Sequence, residues 1–225
     1  MHKELVYVTP MPVRIWHWLN AFGIVTLCVT GLQIRFPEYV NIFGAYKAAI
    51  RLHNTAGAVV SVSYLLWLFY YLVIARSLIT LYVPTREDIV HGMFRQGYYY
   101  LRAYFSGGDN PHHSRPGNKF NPLQKAAYLA IMLILLPLVI FTGLPLMYVA
   151  PFRELLLLLG GIKALVGTHF LVACCFTSFL FIHIYLATLG HTPLSHFKPM
   201  WSGWEVEDVD DGSAGGGGER REGEP

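Results

Sequence analysis

The sequence predicts an all-α membrane protein, a bundle of four transmembrane helices, and three observations carry that prediction. Hydrophobic residues make up 54% of the 225-residue chain and charged residues only 14%, whereas soluble domains carry about 25% charged residues. Four stretches without a formal charge, residues 15–34, 52–75, 126–148 and 164–189, each reach the length that crosses a bilayer as a helix, about 20 residues. Basic side chains bracket every one of them: Arg14 and Arg35, Arg51 and Arg76, Lys125 and Arg153, Lys163 and Lys198. The formal net charge of +3 is too small to point to nucleic acid.

The first stretch is long and lacks a small-residue cleavage pattern, so it reads as a span and not as a cleaved leader. The segment between the second and third spans concentrates positive charge in Arg76, Arg86, Arg95, Arg102, Arg115, Lys119 and Lys125. The other connections hold fewer: Arg35, Lys47 and Arg51 in one, Arg153 and Lys163 in the other. The positive-inside rule therefore puts the long connection and both termini in the cytoplasm. Residues 154–162 are apolar but too short to span, and read as an interfacial or re-entrant piece before the fourth helix. Trp16, Trp18, Trp201 and Trp204 suit an interfacial aromatic belt. The three cysteines all fall within spans and suggest no disulfide framework. From Glu205 the chain turns acidic and glycine-rich, so residues 1–204 form the membrane domain and 205–225 a disordered tail.

Four of the ten histidines, His17, His53, His169 and His183, fall inside spans. A polar, ionisable side chain in hydrocarbon is a functional hypothesis by default, although one alone can serve as polar glue between helices. Their arrangement decides. His169 and His183 are fourteen residues apart, about 21 Å along a helix and about 40° off one face. No single metal ion bridges that gap, but two sites at different depths can use it. Alternating topology matches His17 with His183 near the cytoplasmic side and His53 with His169 near the outer side. Two bis-histidine pairs stacked across a membrane suit two b-type haems. Zinc would need four ligands at one point.

Glycines and arginines fit the same picture. Gly31, fourteen residues after His17, offers a bare patch for haem clearance at the outer pair, and Gly57, Gly143 and Gly167 are further candidates. Small residues also let membrane helices pack closely. Arg14 and Arg51, three and two residues before His17 and His53, are candidate partners for haem propionates through charged forked bonds. Plain interfacial anchoring accounts for either one equally well.

The stretches PVRIWHWLNAFGIVTLCVTG, RLHNTAG, KFNPLQKAAYLAIMLILLPLVIFTGLPL and GTHFLVACCFTSFLFIHIYLATLG together resemble the four helices of the membrane di-haem cytochrome b superfamily. Its members include the cytochrome b subunits of [NiFe]-hydrogenases, formate dehydrogenases and thiosulfate reductases, and the third stretch is most similar to the thiosulfate-reductase branch. The resemblance covers about residues 7–204. It implies a quinone-reactive membrane subunit of a respiratory complex in the bacterial cytoplasmic membrane, anchoring the complex without converting the final substrate itself. It also implies two haem b held by the four histidines, and a periplasmic partner, either an iron–sulfur protein or a multihaem cytochrome c, with a catalytic subunit beyond it. Quinone, menaquinone or ubiquinone, would sit near the inner haem at the start of the third helix, where Lys119, Asn121 and Gln124 match. Asn121 before Pro122 is equally a helix N-cap.

Two other functions compete. A stand-alone transmembrane haem reductase would need an outer acceptor pocket, and the short outer connections offer none. A histidine-based metal or proton transporter would call for carboxylates inside the spans, and the four stretches contain none. In the long connection, His112-His113 could bind metal and His91 is a further histidine. His191 and His196, after the fourth span, could aid proton entry.

Overall fold

A computed structural model describes residues 2–7, 9–112, 120–189 and 197–209. Along the chain run β1 (His2–Tyr7), α1 (Met11–Arg35), α2 (Tyr46–Phe69), α3 (Leu78–Tyr82), α4 (Met93–Tyr98), α5 (Pro122–Ala130), α6 (Leu136–Met147), α7 (Arg153–Leu158), α8 (Gly161–Thr188), α9 (Lys198–Ser202) and β2 (Trp204–Val209). A π-helical turn, Tyr70–Ile74, extends α2, and another, Ile131–Leu135, joins α5 to α6. Four helical segments are thus long and apolar enough to cross a membrane: Met11–Arg35, Tyr46–Ile74, Pro122–Met147 and Gly161–Thr188. Each corresponds to one expected span, starting a few residues before the apolar stretch and ending within one residue of it. Backbone hydrogen bonding need not stop where hydrocarbon does.

Local chemistry sets the ends. Pro37 follows the last turn of α1, where Arg35 complements the negative helix end. The π-helical turn after α2 is followed by Arg76, whose φ of 50° lies in the left-handed region and ends the helical run. The turn ahead of α6 sits directly before Pro137, whose ring and missing N–H forbid a tight approach to the preceding turn. Residues 154–162, expected as one interfacial piece, resolve into α7 and a reversal at Gly160 and Gly161, both at φ 87°.

The chain divides into two compact units. One comprises Asn20–Leu180. Within it the helices touch through small and polar side chains. A Cβ built on Gly23 of α1 would lie 2.6 Å from Val60 Cγ2 on α2, so the glycine permits a close approach. Asn20 Nδ2 donates to Ser63 Oγ at 2.8 Å. Gln33, buried, accepts from the backbone N–H groups of Ile42 and Phe43 and so ties the α1–α2 connection to its helix. Large apolar side chains such as Phe22, Leu66 and Leu171 remain more than 60% exposed. Apolar surface on that scale, along helices of this length, belongs in lipid.

The segment 77–120 is more than a connector, because α3 and α4 fold within it. Tyr82 of α3 is buried edge-on to Trp67 and Tyr71, with Phe120 and Tyr128 completing the aromatic cluster. Burial, first, and the neighbouring Tyr71 push its phenol far above the ordinary tyrosine value.

The second unit comprises Met1–Leu19 and Phe181–Pro225. Here β1 pairs antiparallel with β2, from His2 opposite Val209 to Tyr7 opposite Trp204. A two-stranded sheet thus accompanies the helical bundle, and residues 205–209 belong to its second strand. Hydrogen bonding to β1 gives residues 205–209 a backbone partner that composition cannot reveal. Residues 210–225 lie outside the described residues. Gly203, at φ 91°, makes the turn into β2, and a Cβ there would lie 2.5 Å from Tyr7 Cε2 and 3.0 Å from the Thr9 carbonyl. Gly203→Ala is therefore expected to cost about 1–3 kcal/mol of local stability, read as faster hydrogen exchange of the β1 and β2 amides with the transmembrane helices unchanged.

Candidate functional site

The structure brings the four span histidines together in the two expected pairs. In the larger unit, His53 on α2 faces His169 on α8, with ring centroids 6.4 Å apart. In the other unit, His17 on α1 and His183 near the end of α8 have centroids 6.3 Å apart.

These separations test what the pairs can hold. Imidazole nitrogens bonded at about 2.0–2.1 Å to one metal between them, each nitrogen about 1.1 Å from its ring centre, put the centroids about 6.2–6.4 Å apart. Both pairs meet that figure. Among the described residues, no three histidine, cysteine or acidic side chains converge on a point. A bare ion would therefore find two protein ligands at most, whereas a metal carried in a porphyrin needs only the two axial nitrogens. The residues fit haem iron.

Neighbouring helices orient the outer rings. His53 Nδ1 lies 2.9 Å from Thr30 Oγ1 on α1, and His169 Nδ1 lies 2.9 Å from Thr142 Oγ1 on α6. Each threonine hydroxyl already donates back along its own helix, Thr30 to the Thr26 carbonyl at 2.6 Å and Thr142 to the Leu138 carbonyl at 2.8 Å. Having spent its one proton, the hydroxyl must accept, so Nδ1 carries the hydrogen on both histidines and the Nε2 lone pair stays free. Gly31 and Gly143 adjoin the same rings: built Cβ atoms would meet His53 Cε1 at 3.4 Å and His169 Cε1 at 3.1 Å. Gly31 thus makes room for an imidazole. Gly57 does not share that role, since its Cβ would meet only Leu27 at 3.8 Å, and Gly167 faces open space. Arg35 lies over the rings of Phe36 and Phe170, 5.0 and 5.4 Å from their centroids. Arg51 is exposed.

Around the other pair, Trp18 stands edge-on to His17 with centroids 5.2 Å apart. Its indole N–H donates to the Met200 carbonyl at 2.8 Å, and Arg14 Nη1 donates to the Trp201 carbonyl at 2.6 Å. Both tie α1 to α9. One amine of Arg14 is thereby committed to a carbonyl, leaving less of its fork for a carboxylate. Trp18 and Trp201 pack at 5.6 Å, a tertiary role beyond that of an aromatic belt.

At the start of α5, Asn121 and Gln124 form a reciprocal capping box, and Asn121 Nδ2 donates to the Tyr100 hydroxyl at 3.2 Å. The capping role is met, and Asn121 is buried in it. Nearby, Lys125 Nζ pairs with Asp88 Oδ2 at 3.1 Å, and Asp88 closes a second reciprocal cap with Thr85. Burial pushes the Asp88 carboxyl up, but the Thr85 amide, the Lys125 ammonium and the Thr85 hydroxyl together hold it below the ordinary carboxylate range. His112 lines a cavity of about 70 Å³ with Gly92, Arg95, Gln96, Pro111 and Pro122. His91 is exposed. Lys119, His113, His191 and His196 lie outside the described residues.

With that geometry in hand, likeness to known proteins is informative. The sequence profile of the family described as prokaryotic cytochrome b561 matches residues 8–203. Putative cytochrome YdhU of Escherichia coli is 32% identical over 205 residues, covering 90% of this chain and 76% of its own length. The putative protein-methionine-sulfoxide reductase subunit YedZ1 of Azospira oryzae is 25% identical over 198 residues, covering 84% and 94%. A probable Ni/Fe-hydrogenase B-type cytochrome subunit of Rhizobium leguminosarum is 54% identical over 37 residues, 16% of each chain. No solved structure matches.

Proposed function

Because the chain belongs to the prokaryotic cytochrome b561 family, and so is a multi-pass b-type cytochrome of the membrane that transfers electrons, we propose that it relays them through two haems between the quinone pool and a partner subunit. His17 and His183 hold the inner haem, and His53 and His169 the outer one. What supports the reading above all is the pair of imidazole separations, 6.3 and 6.4 Å, each suited to one iron. Bound haem supplies one-electron chemistry at iron. The chain supplies everything else: axial nitrogens from two histidine pairs, tautomers of His53 and His169 set by threonine, and apolar helices around the rings.

The quinone site belongs to the cytoplasmic end of the third span, on the orientation that the basic 76–125 segment favours. Gln124, Lys119 and Asn121 are its candidate contacts, with Asn121 already engaged in capping. The names of the relatives, subunits of a hydrogenase and of a methionine-sulfoxide reductase, support a catalytic partner on the opposite side. Arg14 and Arg51 remain candidate propionate partners, and Gly31 and Gly57 candidate clearance positions. Of these, Gly31 adjoins the His53 ring.

A reduced-minus-oxidised visible spectrum with haem quantification tests the reading on protein purified from its native host membrane. Two b-type haems per chain are expected. A colourless chain, or one haem per chain at full loading, overturns the reading. A tagged chain is expected to retain a catalytic subunit through gentle solubilisation. A chain that purifies alone yet reduces an external acceptor would favour a stand-alone reductase.

A further inference from the structure

The two histidines of the outer pair are seated in the same way by two different helices. The chain carries Thr30-Gly31-Leu32 on α1 and Thr142-Gly143-Leu144 on α6. In each, the threonine hydroxyl takes the Nδ1 hydrogen at 2.9 Å, while the bare face of the adjacent glycine looks toward Cε1 of that same ring, where a Cβ would stand at 3.4 Å for Gly31 and 3.1 Å for Gly143. We infer that these Thr-Gly steps are positioning seats that fix the tautomer and rotation of His53 and His169, and set the redox potential of the iron that those histidines hold. The inference rests on the ligand assignment proposed above.

The physics is a two-point hold. Nδ1 and Cε1 are neighbouring ring atoms, so a hydrogen bond at one and a close neighbour at the other restrict the ring's rotation. Threonine suits the first point because its hydroxyl is anchored to the carbonyl four residues back, which leaves a lone pair aimed outward. Glycine suits the second point most closely at 143, where a Cβ would sit 3.1 Å from Cε1, tighter than ordinary contact, whereas at 31 a Cβ would stand in ordinary contact at 3.4 Å. The seats also act electronically. An imidazole that donates through Nδ1 is a stronger donor through Nε2, which favours the ferric state and lowers the potential of the bound iron. His17 offers a contrast, as its buried Nδ1 has no hydrogen-bond partner among the described residues.

Redox titration of the haem bands in native-host membranes tests this, with Thr30→Val and Thr142→Val as near-isosteric variants and Thr30→Ser and Thr142→Ser as conservative rescues. His53→Ala identifies which wave belongs to the outer centre by removing it. Each valine variant is expected to raise the potential of that wave, leave the other wave in place and alter the low-spin electron paramagnetic resonance of the same centre. Each serine variant is expected to restore both. Should a valine variant lose the outer haem outright, retention at the unaltered potential in the serine variant supports the hydroxyl's role, whereas loss in both overturns it. If His53→Ala removes one wave but neither valine variant shifts it, the seats fail and the ligand assignment stands. If His53→Ala removes no wave, the assignment fails and the seats with it.

Discussion

With His183 replaced by alanine, the chain is expected to carry one b-type haem, against an expected two in the unaltered chain. Removing an imidazole leaves His17 as the sole protein ligand at that depth. Changes merely in the surroundings of a ligand cost about 10–100-fold in metal affinity, so loss of a ligand costs at least that much. The helix itself loses nothing it needs for insertion. Alanine is less polar than histidine, and 28 residues of helix remain to span. The surviving haem is expected to titrate as the outer centre of the unaltered protein, because Thr30 and Thr142 still hold His53 and His169. Electron transfer to quinone should disappear with the inner haem. Haem-to-protein ratio and redox titration on membranes check the result, and two haems per chain in the variant would show that His183 is not a ligand.

Replacing Lys125 with methionine is expected to destabilise the protein by about 3 kcal/mol at neutral pH, the scale for removing one partner of a buried ion pair. Only 9% of the Lys125 side chain and 17% of Asp88 are exposed, so Asp88 would be left as a poorly hydrated anion held by Thr85 alone. The effect has a pH signature. Asp88's carboxyl is depressed in the folded protein, so its contribution is fully present above the ordinary aspartate value of about 3.9 and is lost as pH falls through the folded value. The gap in Tm between the unaltered protein and Lys125→Met is therefore expected to be full at neutral pH and to close as acid protonates Asp88, first in the variant, which lacks the ammonium, and then in the unaltered protein. Pairing the change with Asp88→Asn should recover much of the loss, since no uncompensated charge then remains. Thermal unfolding in detergent from neutral pH into acid measures all three, and a gap that widens in acid would refute the assigned role of the pair.

Much of this molecule was legible before any coordinates. Four helical spans follow from the length of uncharged sequence, and the matching of His17 with His183 and His53 with His169 follows from their positions along those spans. Both are one-dimensional quantities: apolar length is set by bilayer thickness, and depth by rise per residue. The Asn121 cap was equally readable, because a capping box is made by residues three apart. What required tertiary structure was which side of each helix meets which neighbour. The threonines that hold His53 and His169 sit 23 and 27 residues away from them, and Lys125 is 37 residues from Asp88. A Thr-Gly-Leu step sets these two threonines apart from Thr26 and Thr177, which also bond their own helix, but the step does not say which ring it meets. The strand at residues 204–209 was hidden for the same reason. Its acidic composition reads as solvated chain, and only a partner strand from the opposite end of the sequence supplies the hydrogen bonds that order its backbone. Contacts between distant segments depend on helix rotation and strand pairing, and those are selected by the packing energy of the whole fold, which no single stretch of sequence contains.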